Sequence, residues 1–339
     1  MNILLVRPDG IGDEILCLPV ATALRRLLPD AKVSFLSSVY AAPVLAQHPD
    51  LAAILTLNGR ERFADLVALF RRGFDAAIFL KPFRRLMAAA FVARVPVRVA
   101  TGYRWYSLLA NRRVYEHRSD FSRHEATYNL GLLRGLGLEP GELIRPQLFL
   151  TDDERQEAAA KLKAIPSPCI VVHPGGFSSR QWKLQHYLDL TQRLVKEGYG
   201  VVLSGSQTER DRFREETGWR GSAHGSILDV MGTVTLRQLM AIIGASQSLV
   251  SGSTGPAHIA AGLGVPTVSL FDPRRNQLPT RWQPLGQGMV LRPDVPTCEK
   301  CIYEACPYWD CLDRISVEQV CARIRQVVTK PEAMAVAHV

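Results

Sequence analysis

The sequence is short of several things, and each shortage excludes a class of protein. It has no apolar run near the ~20 residues that a membrane-spanning helix needs. The nearest stretch, 255–271, is interrupted by His258 and Pro266 and reads as buried core. Its first apolar run, residues 3–6, is broken by Arg7 and Asp9 before a signal-type apolar segment could form, so a cytoplasmic location is the expectation. It lacks the third glycine of the dinucleotide fingerprint. Gly10 and Gly12 are followed by Asp13, Glu14 and Ile15, and an acid at a helix mouth repels a pyrophosphate. That argues against a nicotinamide-dependent oxidoreductase. Acids are also scarce, with 32 Asp and Glu against 41 Lys and Arg, a net charge of +9.

The positive excess is concentrated. Fourteen cations crowd residues 60–123, among them Lys81, Arg84, Arg85, Arg112 and Arg113. Such a balance suits a polyanion: nucleic acid, anionic lipid headgroups or a phosphorylated glycan. No recognition-helix, zinc-finger or RNP pattern accompanies the charge, so nucleic acid is not the expected partner.

What is present is a globular α/β pattern. The 339 residues are 47% apolar and 22% charged, a length that favours two domains. Strand-like runs at 2–6, 32–38, 51–57 and 75–81 alternate with helix-like segments at 19–31, 40–50, 61–73 and 84–95. In the first of those helices, Val20, Leu24, Leu27 and Leu28 are expected on one buried face. A polar stretch, 111–125, interrupts the rhythm. A helix over 125–138 is expected to be capped by Gly135 or Gly137, and one from Thr151 to 165 has a Thr N-cap, acids in its first turn and lysines near its end. After "PSP" at 166–168 the pattern restarts: strands at 169–173, 200–204, 248–252 and 266–271, with helices at 185–198, 235–246 and 255–264. Alternation of this kind implies parallel sheets covered by helices. We expect two Rossmann-like domains, 1–165 and 166–339, facing each other, with ligands beyond the carboxyl ends of their strands.

Three loops carry chemistry. "DGIGDE" places Asp13 at a strand-to-helix junction, where it either caps the helix or acts as a base. "HPGGFSSRQWK" (173–183) brings Gly175, Gly176, two serines, Arg180 and Lys183 together after a strand, a set suited to phosphate oxygens. "SGSTGPAHIAAGLG" (251–264) places Ser253, Thr254 and Gly255 before a helix whose first turn holds His258, with Pro256 fitting the first helical position. His258 is either part of that anion site or a helix-end histidine bonded to backbone. "SGSQTERD" puts Glu209 on a loop after a strand, free to accept from a ribose or base or simply solvated. Cys298, Cys301, Cys306 and Cys311 lie within 14 residues. They can hold a structural zinc or sit in a packed loop around Tyr303, Pro307, Tyr308 and Trp309, and the spacing is not a paired CxxC…CxxC. No metal is assigned. Cys17, Cys169 and Cys321 read as single core residues.

Taken in order, these loops resemble the glycosyltransferase family 9 proteins, the lipopolysaccharide heptosyltransferases, over nearly the whole chain. The likeness starts at "ILLVRPDGIGDEILCLP", continues at "HPGGFSSRQWK", and ends in "SGSTGPAHIAAGLGVPTVSLFDP" and the cysteine-containing tail. The resemblance implies a GT-B fold, with acceptor on the first domain and nucleotide-sugar on the second. It implies inverting transfer of heptose from ADP-heptose to a lipopolysaccharide core acceptor, with no cofactor. Asp13 then matches the catalytic base. Arg180, Glu209, Thr254, Gly255 and His258 match donor-binding positions, and Gly12, Gly175 and Ser253 are donor-binding candidates beside them. Lys81, Arg84 and Arg85 are the acceptor-binding candidates, in a basic region expected to touch the anionic inner-membrane surface. Two residues depart from the family pattern: Ser253 stands where an aspartate is usual, and Asp272 where a glycine is usual. A nucleotide-sugar epimerase of the same fold and a non-catalytic binding relative are the competing readings.

Overall fold

A computed structural model describes residues 1–176, 180–221 and 225–329. The chain divides into two compact units, Met1–Phe149 and Leu150–Val339. Phe177, Ser178 and Ser179, hence the two serines of the 173–183 loop, lie outside the described residues.

The first unit is built on six strands: β1 (Asn2–Val6), β2 (Lys32–Ser38), β3 (Ala53–Leu57), β4 (Ala76–Phe79), β5 (Val97–Thr101) and β6 (Arg112–Val114). All pair in parallel, in the order β3-β2-β1-β4-β5-β6. A parallel sheet is covered on both faces, and its central strands must be apolar on both. β1 obeys: Ile3, Leu4, Leu5 and Val6 are all fully buried. Leu4 and Val6 join Phe70, Phe79 and Met87 in one cluster, and each such side chain contributes roughly 1.5–3 kcal/mol by leaving water.

The second unit repeats the plan with β7 (Cys169–His173), β8 (Gly200–Leu203), β9 (Ile227–Asp229), β10 (Ser248–Gly252), β11 (Thr267–Leu270) and β12 (Gly288–Leu291). Its order is β12-β11-β10-β7-β8-β9, again all parallel. Counted from its own first strand, this is the order of the first sheet, and both are the Rossmann arrangement. Its core holds Trp182, Tyr187, Leu190, Val250 and Ile324. Buried Trp182 keeps its indole N–H satisfied on the Ile315 carbonyl at 2.9 Å.

The unit boundary falls at 149/150 rather than at 165/166. Helix Asp152–Leu162 is the reason. Thr151 and Glu154 form its capping box, and Glu154 also accepts from Arg237 Nε at 2.7 Å, which ties it to helix Leu236–Gly244 of the second unit. Cys17, Cys169 and Cys321 are core residues, as expected.

Other local expectations need correction. Leu27 closes helix Leu18–Leu27 on the solvent side, because the buried set is Leu18–Ala21 with Ala23 and Leu24. The segment expected as a helix over 40–50 is one 3-10 turn, Ala42–Leu45. The helix over 125–138 tightens into a 3-10 turn after Gly131, though it ends as expected at one of its two candidate caps, Gly137, at φ +74°. The polar stretch 111–125 contains strand β6. Pro256 is the second helical residue, after Gly255. Among the described residues, no helix is long and apolar enough to cross a membrane.

Candidate active site

In open α/β sheets the ligand crevice lies beyond the carboxyl ends of the strands, where the strand order reverses. In the first unit that point lies between β1 and β4. β1 ends at Val6 and leads to Arg7, Asp9 and the short helix Ile11–Ile15, and β4 leads to Leu80 and Lys81.

The helix Ile11–Ile15 has Gly10 as its N-cap and no side-chain capping bond. Asp13 is therefore not a cap. Its carboxylate is bonded instead by the guanidinium of Arg7. Arg7 is buried, with 4% of its side chain exposed against 28% for Asp13. The same guanidinium reaches Glu125 at 3.2 Å and Asp9 at 3.5 Å. Glu125 is itself bonded by Arg118, and Lys81 Nζ reaches Asp9 at 2.6 Å. Burial works against the charge on Arg7, but Asp13, Glu125 and Asp9 outweigh it and hold the guanidinium protonated. Burial pushes the Asp13 carboxyl above its ordinary value, with Arg7 pulling against it. The result is a partly exposed carboxylate, fixed in direction and raised in basicity.

Glu14, the next residue, behaves differently. It is fully buried and accepts from Ser37 Oγ at 2.5 Å and from the Ser38 and Asp9 N–H groups at 3.0 and 3.3 Å. Burial outweighs those bonds and pushes its pKa up to about 7. Gly12 sits in the same helical turn as Asp13. Arg84 and Arg85 open helix Arg84–Val92, two strong cations at the positive end of a helix, where they oppose its dipole. Both are exposed, and Arg85 donates to the Glu61 carbonyl.

In the second unit the strand order reverses between β7 and β10, and three loops meet there. Glu209 links two of them. Its Oε1 accepts from the Gly176 N–H at 3.0 Å and its Oε2 from the Ser206 N–H at 2.7 Å. It is not on a loop, as the sequence suggested, but in the first turn of helix Gln207–Thr217, in a capping box with Ser206. Gly175 passes so close that a Cβ there would overlap Glu209 Oε1 and lie 2.7 Å from His173 Nε2. Only glycine fits that approach. Gly176, at φ +136°, has its open side 3.6 Å from Thr254 Cβ, so the 173–176 loop also abuts the 253–255 loop. Burial pulls Glu209 up, but His173 and the backbone N–H groups outweigh it and hold the carboxyl below its ordinary range. Buried His173 bonds Ser204 Oγ at 3.1 Å, and burial lowers its pKa.

Thr254 is the N-cap of helix Gly255–Leu263, and its own side chain makes no cap bond. The N-terminal N–H groups of a helix and its dipole favour an anion at the mouth. Ser253 and His258 are buried beside it. Gly175, Glu209, Ser253, Thr254, Gly255 and His258 are thus brought together. Arg180 is held apart: its guanidinium donates to the Trp309 carbonyl at 2.6 Å and stacks on Tyr303 at 5.5 Å, toward the cysteine segment. Its backbone N–H donates to Asp272 at 3.0 Å. Asp272 is buried and takes Arg274 through both oxygens, at 3.1 and 2.7 Å. Cys298, Cys301, Cys306 and Cys311 line one small cavity with Arg180 and Arg274. No group of three or more metal-ligating residues among the described ones is arranged to hold an ion.

Sequence reasoning assigned no role to Arg7, Glu125 or Arg118, nor to the Asp272–Arg274 pair. Arg7 stood in a quoted motif, but its partner Glu125 lies 118 residues away, a separation no local pattern reveals.

Two six-stranded parallel sheets of Rossmann order, each covered by helices, are the architecture of a GT-B fold. The chain belongs to glycosyltransferase family 9 (heptosyltransferase), whose family model matches residues 65–308, a span that includes the 173–183 and 251–264 loops and Lys81 but begins after Asp13. The lipopolysaccharide heptosyltransferase 2 of Salmonella typhimurium is 26% identical over 293 residues, covering 80% of this chain and 83% of that protein. The solved E. coli ADP-heptose lipopolysaccharide heptosyltransferase II has a TM-score of 0.81 at 22% identity, covering 98% of this chain and 100% of its own. The family 9 glycosyltransferase of Veillonella parvula also has a TM-score of 0.81, at 19% identity, with 97% of each chain covered. Family membership makes the chain a glycosyltransferase, and the epimerase and non-catalytic readings lose their footing.

Proposed function

We propose that this chain moves heptose from ADP-heptose to a hydroxyl of a lipopolysaccharide core acceptor, with inversion at the anomeric carbon. The observation that carries the reading is the setting of Asp13: partly exposed, uninvolved in capping, and aimed by a buried arginine. An acceptor hydroxyl oxygen attacks the anomeric carbon and its proton passes to the Asp13 carboxylate. The bond from that carbon to the phosphate oxygen breaks, and the electron pair leaves with ADP. One displacement inverts the configuration. Charge growing on the departing diphosphate is met by the Gly255 helix mouth with Thr254 and His258, while Glu209 and Gly175 shape the wall that takes the nucleoside. Arg180 joins the phosphates once it leaves the Trp309 carbonyl. Lys81, Arg84 and Arg85 receive the anionic acceptor. No cofactor is required. The acceptor is membrane-held, and the chain attaches peripherally to the anionic cytoplasmic leaflet.

The test is a donor screen. Purified chain is incubated with deep-truncated lipopolysaccharide and ADP-heptose or other nucleotide-sugars, and the product linkage is read by NMR. Heptose transfer with inverted configuration is expected. Preferred transfer from another nucleotide-sugar, or retained configuration, overturns the respective part of the reading.

A further inference from the structure

Residues 76–115 contain eight cations and not one Asp or Glu over forty positions. The fold turns this segment into a surface. Helix Arg84–Val92 buries Leu86, Met87, Ala89 and Ala90. Its outward stripe is Arg84, Arg85, Ala88, Phe91 and Val92, at the spacing of one helical face, and Phe91 and Val92 are about half exposed. A solvated helix face ordinarily mixes charges of both signs; this one carries two arginines and then apolar side chains.

The 3-10 turn Trp105–Leu109 packs against that helix, and Tyr106 Oη anchors it on the Pro82 carbonyl at 2.9 Å. In a 3-10 turn, side chains three apart eclipse one another. Trp105 and Leu108 therefore project together, 72% and 63% exposed. Arg98 seals the far end, stacking on Phe91 at 5.3 Å and donating from Nε to the Leu109 carbonyl at 2.9 Å. Exposed Arg104, Arg112 and Arg113 border the turn. Large apolar side chains left exposed together mark an interaction site. Tryptophan with aliphatic neighbours, bordered by arginine in a stretch of chain without acids, matches the boundary of an anionic bilayer, where the indole sits at headgroup depth and the cations meet lipid phosphates.

We propose that Phe91, Val92, Trp105 and Leu108, with the surrounding arginines, are the surface by which this chain docks on an anionic membrane. This deepens the peripheral attachment proposed above, yet the docking assay does not depend on sugar transfer. The full chain is sedimented with phosphatidylcholine vesicles, with and without 30% phosphatidylglycerol. Binding is expected only to the anionic vesicles and is expected to weaken as salt rises and screens the charge. The double variant Trp105→Ser/Leu108→Ser removes only exposed side chains, and circular dichroism checks its fold. It is expected to lose at least about tenfold in vesicle affinity, while its transfer rate to lipid-free acceptor oligosaccharide stays at the parent's level. Equal binding to neutral vesicles, or a variant that binds like the parent, overturns the proposal. So does a variant that docks normally but loses transfer to the lipid-free acceptor, since the patch would then be a saccharide platform. A parent that docks through these residues yet transfers no heptose refutes the functional reading and leaves the surface standing.

Discussion

Replacing Asp13 by Asn tests the chemistry most directly, because the substitution keeps the shape and removes the proton acceptor. Arg7 loses one carboxylate but keeps Glu125 at 3.2 Å and Asp9 at 3.5 Å. Its buried charge stays compensated, so the fold should survive with little change in melting temperature. The loops proposed to hold the donor belong to the second unit, so ADP affinity by calorimetry should match the parent's. Turnover is where the loss falls. A positioned base contributes about 10²–10⁴-fold, so kcat should drop at least ~100-fold, roughly 2.7 kcal/mol of barrier. The pH profile gives the sign. The parent works with Asp13 deprotonated, so its activity falls as pH falls through a pKa that burial has raised above the ordinary carboxylate value. The residual activity of the Asn variant should lack that acid limb. Near-normal turnover, or an unchanged acid limb, removes Asp13 from this role.

Three further outcomes follow from the geometry. Glu14 has a folded pKa of about 7 against an ordinary 4.5; between those values the folded chain keeps a proton that the unfolded chain has released, so stability falls as pH rises through that window and levels off above 7. Glu14→Gln cannot ionise and should be the more stable protein at pH 8, by up to roughly 3 kcal/mol, with the gap closing near pH 4; parallel urea-stability curves for the two proteins would contradict this. Gly175→Ala drives a methyl into Glu209, which two backbone N–H groups hold in place, and should weaken ADP binding about tenfold or more; unchanged affinity by calorimetry would show that this wall does not touch the nucleotide. Asp272→Gly restores the residue usual in the family but strips Arg274 and the Arg180 N–H of their acceptor; it should cost about 1–3 kcal/mol in urea unfolding, and a neutral result would mean that the clamp adds nothing.

Much of this molecule was legible because parallel sheets write themselves locally. A strand buried on both faces is a short apolar run, and β1, β2, β4, β7 and β10 all announced themselves that way. The edges were less visible. β6 is Arg-Arg-Val, a strand only because β5 offers it a partner, and β9 and β12 are only partly buried. The loops proposed to hold the donor stood out for the same local reason, as glycines, a proline and small hydroxyl residues at strand ends. What could not be read was anything made across distance. Glu209 looked like a loop acid, and only the fold brings the Gly176 N–H to it across 33 residues. Arg180 reads as a cation for phosphate, and only the fold shows where its guanidinium rests meanwhile, on a carbonyl 129 residues away.

Asp13 and Glu14 make that division concrete. As sequence they are two acids in a row at a helix mouth, with nothing local to tell them apart. Successive helical residues point about 100° apart, so one turns inward and the other cannot. Glu14 meets the end of β2, where Ser37 and Ser38 hold it, and it is buried as a structural clip. Asp13 turns toward the strand-order reversal, where Arg7 fixes it and solvent still reaches it. A base must be reachable by the proton it removes, and that criterion selects Asp13 although Glu14 is the acid whose pKa is raised to about 7. Perturbed basicity alone points to Glu14; access combined with a fixed direction points to Asp13, the base proposed above. The same criterion explains the position of Arg7. Its charge, set behind Asp13 and sealed by Glu125, pulls against the burial that raises the carboxyl, as suits the base proposed for Asp13.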